Sequence, residues 1–434
     1  MKIAVIGTGY VGLVTAAGLA ELGHSVTGSD KDSDKIAKVS QGFVPIYEPG
    51  LAELLESNLK KGALVFNHDL NKTIEEAEVI FVCVGTPQHA DGSADMSQIE
   101  EVSRQISRNL NRYKLVVEKS TVPVKTSSWI KRTISLYKKT DADFDVASNP
   151  EFLREGSAVS DFLNPDRIII GVETEKARDI LCKIYERFKD RVVVTNIDTA
   201  ELIKHASNSF LAMKISYINL ISNLCEKTEA NVEQVAEGMG LDPRIGGRFL
   251  KAGIGYGGSC FPKDIKALTR IGEDLGVDMS LLKEADRINT HRVKVFIDKI
   301  KRALWILKDK KIALLGLAFK PETDDIREAP SITIIHDLLQ EGACLRLYDP
   351  QAIENMRQLY PEDPERLRYF SSPYDAAEKA NALLVLTEWD EFAGLNLTRI
   401  KELMANPIIV DGRNIFKPAE MKKLGFEYYS IGRK

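Results

Sequence analysis

Six residues near the amino terminus constrain the fold more than any others. Gly7-Thr8-Gly9-Tyr10-Val11-Gly12 follows an apolar run from Lys2 to Ile6 and precedes a helical stretch that reaches about Leu22, where Gly23 stops it. A strand, a tight glycine turn and a helix in that order begin a parallel sheet: the first glycine permits the turn, the second lets a pyrophosphate approach the backbone, and the third lets the helix lie on the strand. The helix start also carries positive charge, which suits a phosphate. A second strand, Ser25 to Gly28, ends at Asp30, eighteen residues past Gly12. A carboxylate there accepts ribose hydroxyls and repels a 2′-phosphate, so the expected cofactor is NAD rather than NADP.

The uncharged stretch from Ile3 to Ala20 behind Lys2 has the outline of a signal peptide or membrane span, but Gly7, Gly9, Gly12 and Gly18 interrupt it. Glycine at this density suits a turn better than an apolar helix, and no targeting segment is expected. A formal net charge of -4 gives no broad positive field, which argues against nucleic acid or an anionic membrane as partner. Any phosphate must be held by local groups. The five cysteines are odd in number, widely spaced and without a C-x-x-C pair, so neither a disulfide framework nor a metal site is expected and a reducing cytoplasm fits best.

A chain of 434 residues exceeds one ordinary core, and roughly 150 residues per domain points to two or three domains. Strand patterns at Val79 to Val84, Leu115 to Lys119, Asp145 to Ser148 and Arg167 to Gly171 alternate with amphipathic stretches such as Met96 to Leu110. That alternation predicts an α/β fold with a doubly wound parallel sheet. From Thr199 the pattern changes: Glu201 to Lys227 and Leu281 to Leu307 carry helical periodicity over long spans with no strand between them. After Lys308 the opening pattern returns, with strands at Lys311 to Leu317, Cys344 to Tyr348, Ala382 to Thr387 and Pro407 to Asp411 and a helix near Ser331 to Glu341. The expected organisation is therefore a Rossmann-like cofactor domain over 1–198, a helical segment with a long helix over 199–308, and a second Rossmann-like domain over 309–434.

The run Gly253-Ile254-Gly255-Tyr256-Gly257-Gly258-Ser259-Cys260-Phe261-Pro262-Lys263-Asp264 is the most informative for chemistry. Its glycines leave room for a ligand beside the backbone, and Pro262 suits the first turn of a helix, which places Cys260 at the positive end of that helix. A thiol there ionises more readily, as a nucleophile must. Asp264 would lie one turn away, within range to take or relay a proton. Cys83, Cys182, Cys225 and Cys344 lie in apolar patterns and read as buried hydrophobes. Lys204 and Asn208 share a helix face, where a cation and an amide can stabilise an alkoxide. Glu151 and Glu155, in Asn149 to Gly156, follow a strand end and read equally well as acids at a helix start. Thr86 and Thr121 lie where ligands of open α/β sheets sit, or else cap helices.

Assembled, these stretches resemble the UDP-glucose 6-dehydrogenases, a branch of the UDP-glucose and GDP-mannose dehydrogenase family, over essentially the whole chain. Pro45-Ile46-Tyr47-Glu48-Pro49-Gly50-Leu51, Gly85-Thr86-Pro87, Gly316-Leu317-Ala318-Phe319-Lys320 and Asp411-Gly412-Arg413 add to the likeness. The resemblance implies NAD-dependent oxidation of a nucleotide sugar, UDP-glucose to UDP-glucuronate, by a homodimer. GDP-mannose and UDP-N-acetylmannosamine are the alternative substrates. It implies Cys260 as nucleophile, Lys204, Asp264, Asn208, Thr121 and Glu151 as its helpers, and Glu155 as the base for thioester hydrolysis. Lys35, Thr86, Thr121, Glu155, Lys263 and Arg327 join Asp30 and the Gly7, Gly9, Tyr10, Val11, Gly12 turn as implied cofactor contacts. Phe152, Leu153, Arg154, Glu155, Lys204, Asn208, Phe249, Lys251, Gly253, Gly257, Lys320 and Arg413 match substrate positions, and Arg244 matches one that reaches a neighbouring subunit's substrate.

Overall fold

The computed structural model describes residues 1–89 and 92–433 and divides into two compact units, 1–207 with 270–276, and 208–269 with 277–434. In the first unit β1 (Lys2–Ile6), β2 (Ser25–Ser29), β3 (Leu64–Phe66), β4 (Val79–Val82), β5 (Lys114–Glu118), β6 (Phe144–Ser148), β7 (Ile168–Gly171) and β8 (Val192–Thr195) form one sheet, in the order β3-β2-β1-β4-β5-β6-β7-β8. Side chains alternate across it. Ile3, Val5, Phe81, Leu115 and Val117 join the core on one face, while Ala4, Ile6, Ile80, Val82 and Val116 join the core on the other. Both faces are therefore covered.

One pairing departs from the expected all-parallel pattern, because β7 runs antiparallel to β6 through Ser148 and Gly171. Between them lies only a loop and the six-residue helix Ala158–Leu163, too little for a full crossover. The chain returns from the end it left.

In the second unit β9 (Lys311–Leu315), β10 (Cys344–Tyr348), β11 (Leu367–Tyr369), β12 (Ala382–Val385), β13 (Ile408–Asp411) and β14 (Glu427–Tyr429) form a parallel sheet in the order β11-β10-β9-β12-β13-β14. That order repeats the first six strands of the other sheet, so the two α/β domains read from the sequence are present. Four helices carry the residues of interest: α1 (Tyr10–Glu21), α2 (Ile197–Thr228), α3 (Phe261–Asp274) and α4 (Ser280–Leu304). Of the segment 199–308, residues 208–269 and 277–308 belong to the second unit and the remainder to the first. Among the described residues no helix is long and apolar enough to cross a membrane.

The opening turn is set by contact. Gly7 has φ +95, and a Cβ on it would stand 2.6 Å from the Cys83 carbonyl oxygen; a Cβ on Gly12 would stand 1.8 Å from the Gly7 carbonyl oxygen. Helix α1 can therefore rest on the turn only with glycine at 12. Gly12→Ala forces the two apart, an overpacking that costs ~1–3 kcal/mol. The variant is expected to melt several degrees lower and to bind dinucleotide at least about tenfold more weakly. Unchanged melting and NAD titration curves would refute this account of the turn.

Candidate active site

In the first unit, Asp30 follows β2 and turns back to the glycine turn, where its Oδ2 accepts from the Thr8 amide at 2.8 Å and the Thr8 hydroxyl at 2.9 Å. Lys35 Nζ stands 3.0 Å from the same oxygen, and the Asp32 amide donates to Oδ1 at 3.2 Å. Burial alone would raise the Asp30 pKa, but the Thr8 amide, Lys35 and the Asp32 amide outweigh it and hold the carboxyl below its usual range. Gly9 has no neighbour within 4 Å of a built Cβ, and no side chain caps α1. Open backbone, uncapped helix amides from Tyr10 to Gly12 and an anionic Asp30 fit a dinucleotide with free ribose hydroxyls.

The second unit reuses this device and closes it. Gly316 has φ +98 and donates to Tyr348 at 2.9 Å, as Gly7 does to Ser29 at 2.8 Å. Asp349 ends β10 as Asp30 follows β2, but its Oδ2 takes the amides of Leu317 and Ala318 and its Oδ1 those of Gln351 and Ala352. Only 1% of Asp349 is exposed. No acceptor remains for a ribose.

Beyond β6 the first unit holds a dry ion pair. Lys204 of α2 reaches Glu151 Oε1 at 2.8 Å, with side chains 4% and 5% exposed. Burial pushes the Glu151 carboxyl up, yet Lys204 and the Leu153 amide pull it below its ordinary value. The Phe152 ring lies 5.5 Å from Lys204 Nζ and 4.0 Å from the Arg167 guanidinium carbon. Behind the pair, buried Lys119 donates to Asn149 Oδ1 at 3.1 Å, and Tyr185 donates to the same oxygen at 2.7 Å. Thr86 donates to the Thr121 carbonyl at 2.9 Å, so these two loops meet. Glu155 is half-buried, whereas Arg154 turns outward to Asp161 at 3.0 Å.

The second unit presents the thiol. The Cys260 carbonyl accepts from the Asp264 amide at 2.8 Å, which makes Cys260 the residue that opens α3, with Pro262 in the first turn. Asp264 is 1% exposed, and its Oδ2 accepts from Asn208 at 2.6 Å. Lys263 Nζ lies 3.9 Å from Asp264 Oδ1. The half-buried Cys260 sulfur stands 3.6 Å from Ser259 Oγ, at the start of α3, where the helix dipole favours a thiolate.

The glycines before Cys260 do more than leave room for a ligand. A Cβ on Gly257 would stand 2.2 Å from the Glu328 carbonyl oxygen, and Gly255, at φ +102, would touch Asn289. The loop is packed against protein and then clamped. Asn219 accepts from the Gly253 amide at 2.9 Å, Arg292 donates to the Gly253 carbonyl at 2.8 Å, and Asn289 bonds both the amide and the carbonyl of Tyr256. Arg413 donates to the carbonyls of Leu386 at 2.8 Å and Gly255 at 3.0 Å, so its guanidinium already stitches this loop. Lys320 lies over Phe319, Phe249 holds a positive φ of 65 beside Phe261, and Lys251 is exposed. Arg244 and Arg327 project outward at 86% and 63% exposure, paired with Asp242 and Asp325.

Sequence reasoning did not single out Arg292, Asn289, Asn219 or Lys119. The available signal was a polar residue on the apolar side of a long helix or inside an apolar strand run. Among the described residues, no cluster of three or more His, Cys, Asp or Glu side chains is arranged to hold a metal ion.

The chain matches the UDP-glucose/GDP-mannose dehydrogenase family in three parts: the NAD binding domain over residues 1–189, the central domain over 198–291 and the UDP binding domain over 313–418. It is 44% identical over 432 residues to the UDP-glucose 6-dehydrogenase TuaD of Bacillus subtilis (strain 168), covering 100% of this chain and 93% of that protein. A UDP-glucose dehydrogenase from the hyperthermophilic archaeon Pyrobaculum islandicum superposes with TM-score 0.93 at 36% identity, covering 100% of this chain and 98% of that one. A UDP-D-ManNAc dehydrogenase from Pyrococcus horikoshii follows with TM-score 0.88 at 31% identity, covering 100% and 99%.

The dry end of β5 yields a test of its own. Glu118 accepts from the Ser120 amide through Oε1, and burial pushes its carboxyl up to about 8 from 4.5. A pKa raised on folding contributes stability that is complete below 4.5 and disappears as pH rises through about 8. Burial pushes neighbouring Lys119 down to about 8 from 10.5, so its effect falls in the separate window above. Glu118→Gln is expected to flatten the fall in melting temperature between pH 4.5 and 8. Identical slopes for wild type and variant would show that Glu118 ionises freely in the fold.

Proposed function

Because the chain belongs to the UDP-glucose/GDP-mannose dehydrogenase family, we propose that it oxidises the primary alcohol of UDP-glucose to the carboxylate of UDP-glucuronate, with NAD as oxidant and Cys260 as covalent nucleophile. The observation that carries this reading is a thiol at the start of α3 with an ordered proton acceptor, Asp264, one turn away, in a chain whose other unit offers a dinucleotide turn. When bound, NAD supplies the oxidising power, one hydride being removed from the sugar carbon in each of two steps.

The protein's own groups do the remaining work. Asp264, held by Asn208, takes the proton that frees the thiolate. The thiolate adds to the carbonyl carbon of the aldehyde, a C–S bond forms, and the oxygen receives a proton to give a thiohemiacetal. Loss of hydride from that carbon, together with the proton from its hydroxyl oxygen, restores the C=O bond as a thioester. Lys204, held in its place by Glu151, stabilises negative charge on the oxygen, with Thr121 and Asn208 as further donors. Glu155 draws a proton from water as it attacks the thioester; the C–S bond breaks and the thiolate leaves. Phe152 to Glu155, Phe249 to Gly253, Gly257, Lys320 and Arg413 are the proposed sugar-nucleotide contacts. Identity of 44% to a UDP-glucose 6-dehydrogenase against 31% to the UDP-D-ManNAc enzyme favours glucose.

Cys260→Ser keeps the volume but replaces the thiolate by a group that ionises far less readily, and an oxygen ester hydrolyses less easily than a thioester. It is expected to bind UDP-glucose and NAD normally, to lose turnover by about a thousandfold or more, and to leave a sugar adduct visible in the intact mass. Two NADH per sugar at near wild-type rate from Cys260→Ala would overturn the covalent mechanism.

A second copy of the chain is the proposed partner. Phe210, Tyr217, Leu220 and Leu224 of α2 are 57%, 47%, 48% and 58% exposed and recur at helical spacing, an apolar stripe that a homodimer would cover. With Arg244 reaching into the neighbouring subunit's site, mixing Arg244→Ala with Cys260→Ala chains is expected to restore activity, because one hybrid site holds both groups. Absence of rescue after verified subunit exchange would refute the shared site.

A further inference from the structure

Glu48 has no part in the chemistry above, yet its carboxylate accepts from three backbone amides of the segment that carries Glu155. The Glu48 side chain is 6% exposed. One oxygen, Oε2, accepts from the amide of Gly156 at 2.6 Å; the other, Oε1, accepts from the amides of Ala158 at 2.7 Å and Val159 at 3.4 Å. The Gly156 amide belongs to the peptide bond that follows Glu155, so Glu48 grips the backbone directly beside the proposed base. A turn that closes from Ser157 to Arg154 at 2.9 Å, with Gly156 at φ +79, presents these amides to the one carboxylate.

The carboxylate receives a fourth donor, the second on Oε2. Tyr10, the first residue of α1 and next to Gly9 of the dinucleotide turn, donates its hydroxyl to Glu48 Oε2 and stands 3.2 Å from the Gly156 amide. Burial and the charge of Glu48 keep that phenol protonated, and the charge of Glu155 acts in the same direction. Glu48 itself is steadied by its backbone, whose carbonyl accepts from Leu51 at 3.1 Å ahead of the helix Leu51–Lys60. Cofactor turn and hydrolysis segment are thus joined through one side chain.

We propose that Glu48 is a positioning residue for product release: it holds the backbone beside Glu155 in the geometry that activates water on the thioester, and through Tyr10 it ties that geometry to the cofactor turn. The proposal rests on the reading of Glu155 as the hydrolysis base. Carboxylate chemistry makes it testable, because both oxygens accept from amides and a glutamine must set an NH2 group against one of them.

The experiment follows the two halves of the reaction in Glu48→Gln, Tyr10→Phe and Glu155→Gln, using full-length enzyme, UDP-glucose and NAD. Glu48→Gln is expected to release a rapid burst of NADH and then slow about ten- to a hundredfold, with a covalent sugar adduct of Cys260 accumulating in the intact mass and KM values moving less than about threefold. Added hydroxylamine attacks a thioester without a base, expelling the thiolate and forming a hydroxamate, and is expected to restore turnover in Glu48→Gln and Glu155→Gln alike. Tyr10→Phe keeps the amide grip and is expected to show the same signature more weakly. An adduct in Glu155→Gln but not in Glu48→Gln overturns the positioning role. An adduct in Glu48→Gln but not in Glu155→Gln assigns the base elsewhere and overturns the reading of Glu155 on which the proposal rests, while an adduct in both supports it. If Glu48→Gln fails to fold, absence of adduct in a folded Tyr10→Phe overturns the link to the cofactor turn and the proposal with it.

Discussion

The 2.8 Å contact between Lys204 and Glu151, shut off from water on both sides, fixes the helix on which much of the site depends. Two charges so deeply buried are tolerable only as a pair, since removal of either leaves an uncompensated ion and costs about 3–5 kcal/mol. Lys204 must therefore face the end of β6, and α2 has no rotational freedom about its axis there. Asn208 and Asn219 recur on nearly the same face of α2 as Lys204, which is how one helix supplies the partner of Asp264 and an acceptor for the Gly253 amide. Its opposite face carries Phe210, Tyr217, Leu220 and Leu224. Along α2 the face that carries Asn208 and Asn219 is thus opposite the face that is apolar and exposed.

Two copies of a strand-turn-strand-Asp arrangement show how little separates a binding site from a structural joint. Asp30 keeps part of its carboxylate accessible, 13% of the side chain, while Asp349 saturates both oxygens with four amides of its own domain. The fold device is the same in both. What differs is the residue after the turn glycine's neighbour: Gly9 leaves open space at the helix start, whereas Leu317-Ala318 folds back on Asp349. Fold likeness alone would have assigned a dinucleotide to each.

Strands buried on both faces announce themselves as continuous apolar runs, which is why β1, β2, β4, β5, β9 and β10 were legible within a residue or two. The short edge strands β3, β8, β11 and β14 were not, since three or four residues are too few to set a run apart from its surroundings. The strand β7 was legible at Arg167 to Gly171 but its antiparallel direction was not, because direction depends on the length of the connection and not on the strand's composition. Within the site, Asp30, Asn208, Asp264 and Cys260 could be found by motif and spacing. Arg292 and Glu48 could not, for their importance lies in contacts with Gly253 and Gly156 far away in sequence. The glycines of 253–258 were visible, but only the structure shows that Glu328 and Asn289 fill the space a Cβ would need.

Cys83 and Cys260, the proposed nucleophile, differ in placement and not in residue type. Cys83 follows β4 beneath the dinucleotide turn, 6% exposed, and burial pushes its thiol up to about 12 despite the nearby charge of Lys119. Deprotonation there would strand an anion in the core. Cys260 opens α3, half-buried, with the helix amides at its back and Asp264 held one turn on by Asn208. The same thiol that is inert under a sheet becomes usable at the start of a helix, because in the second position the charge it must acquire is met by dipoles already aligned before any substrate arrives.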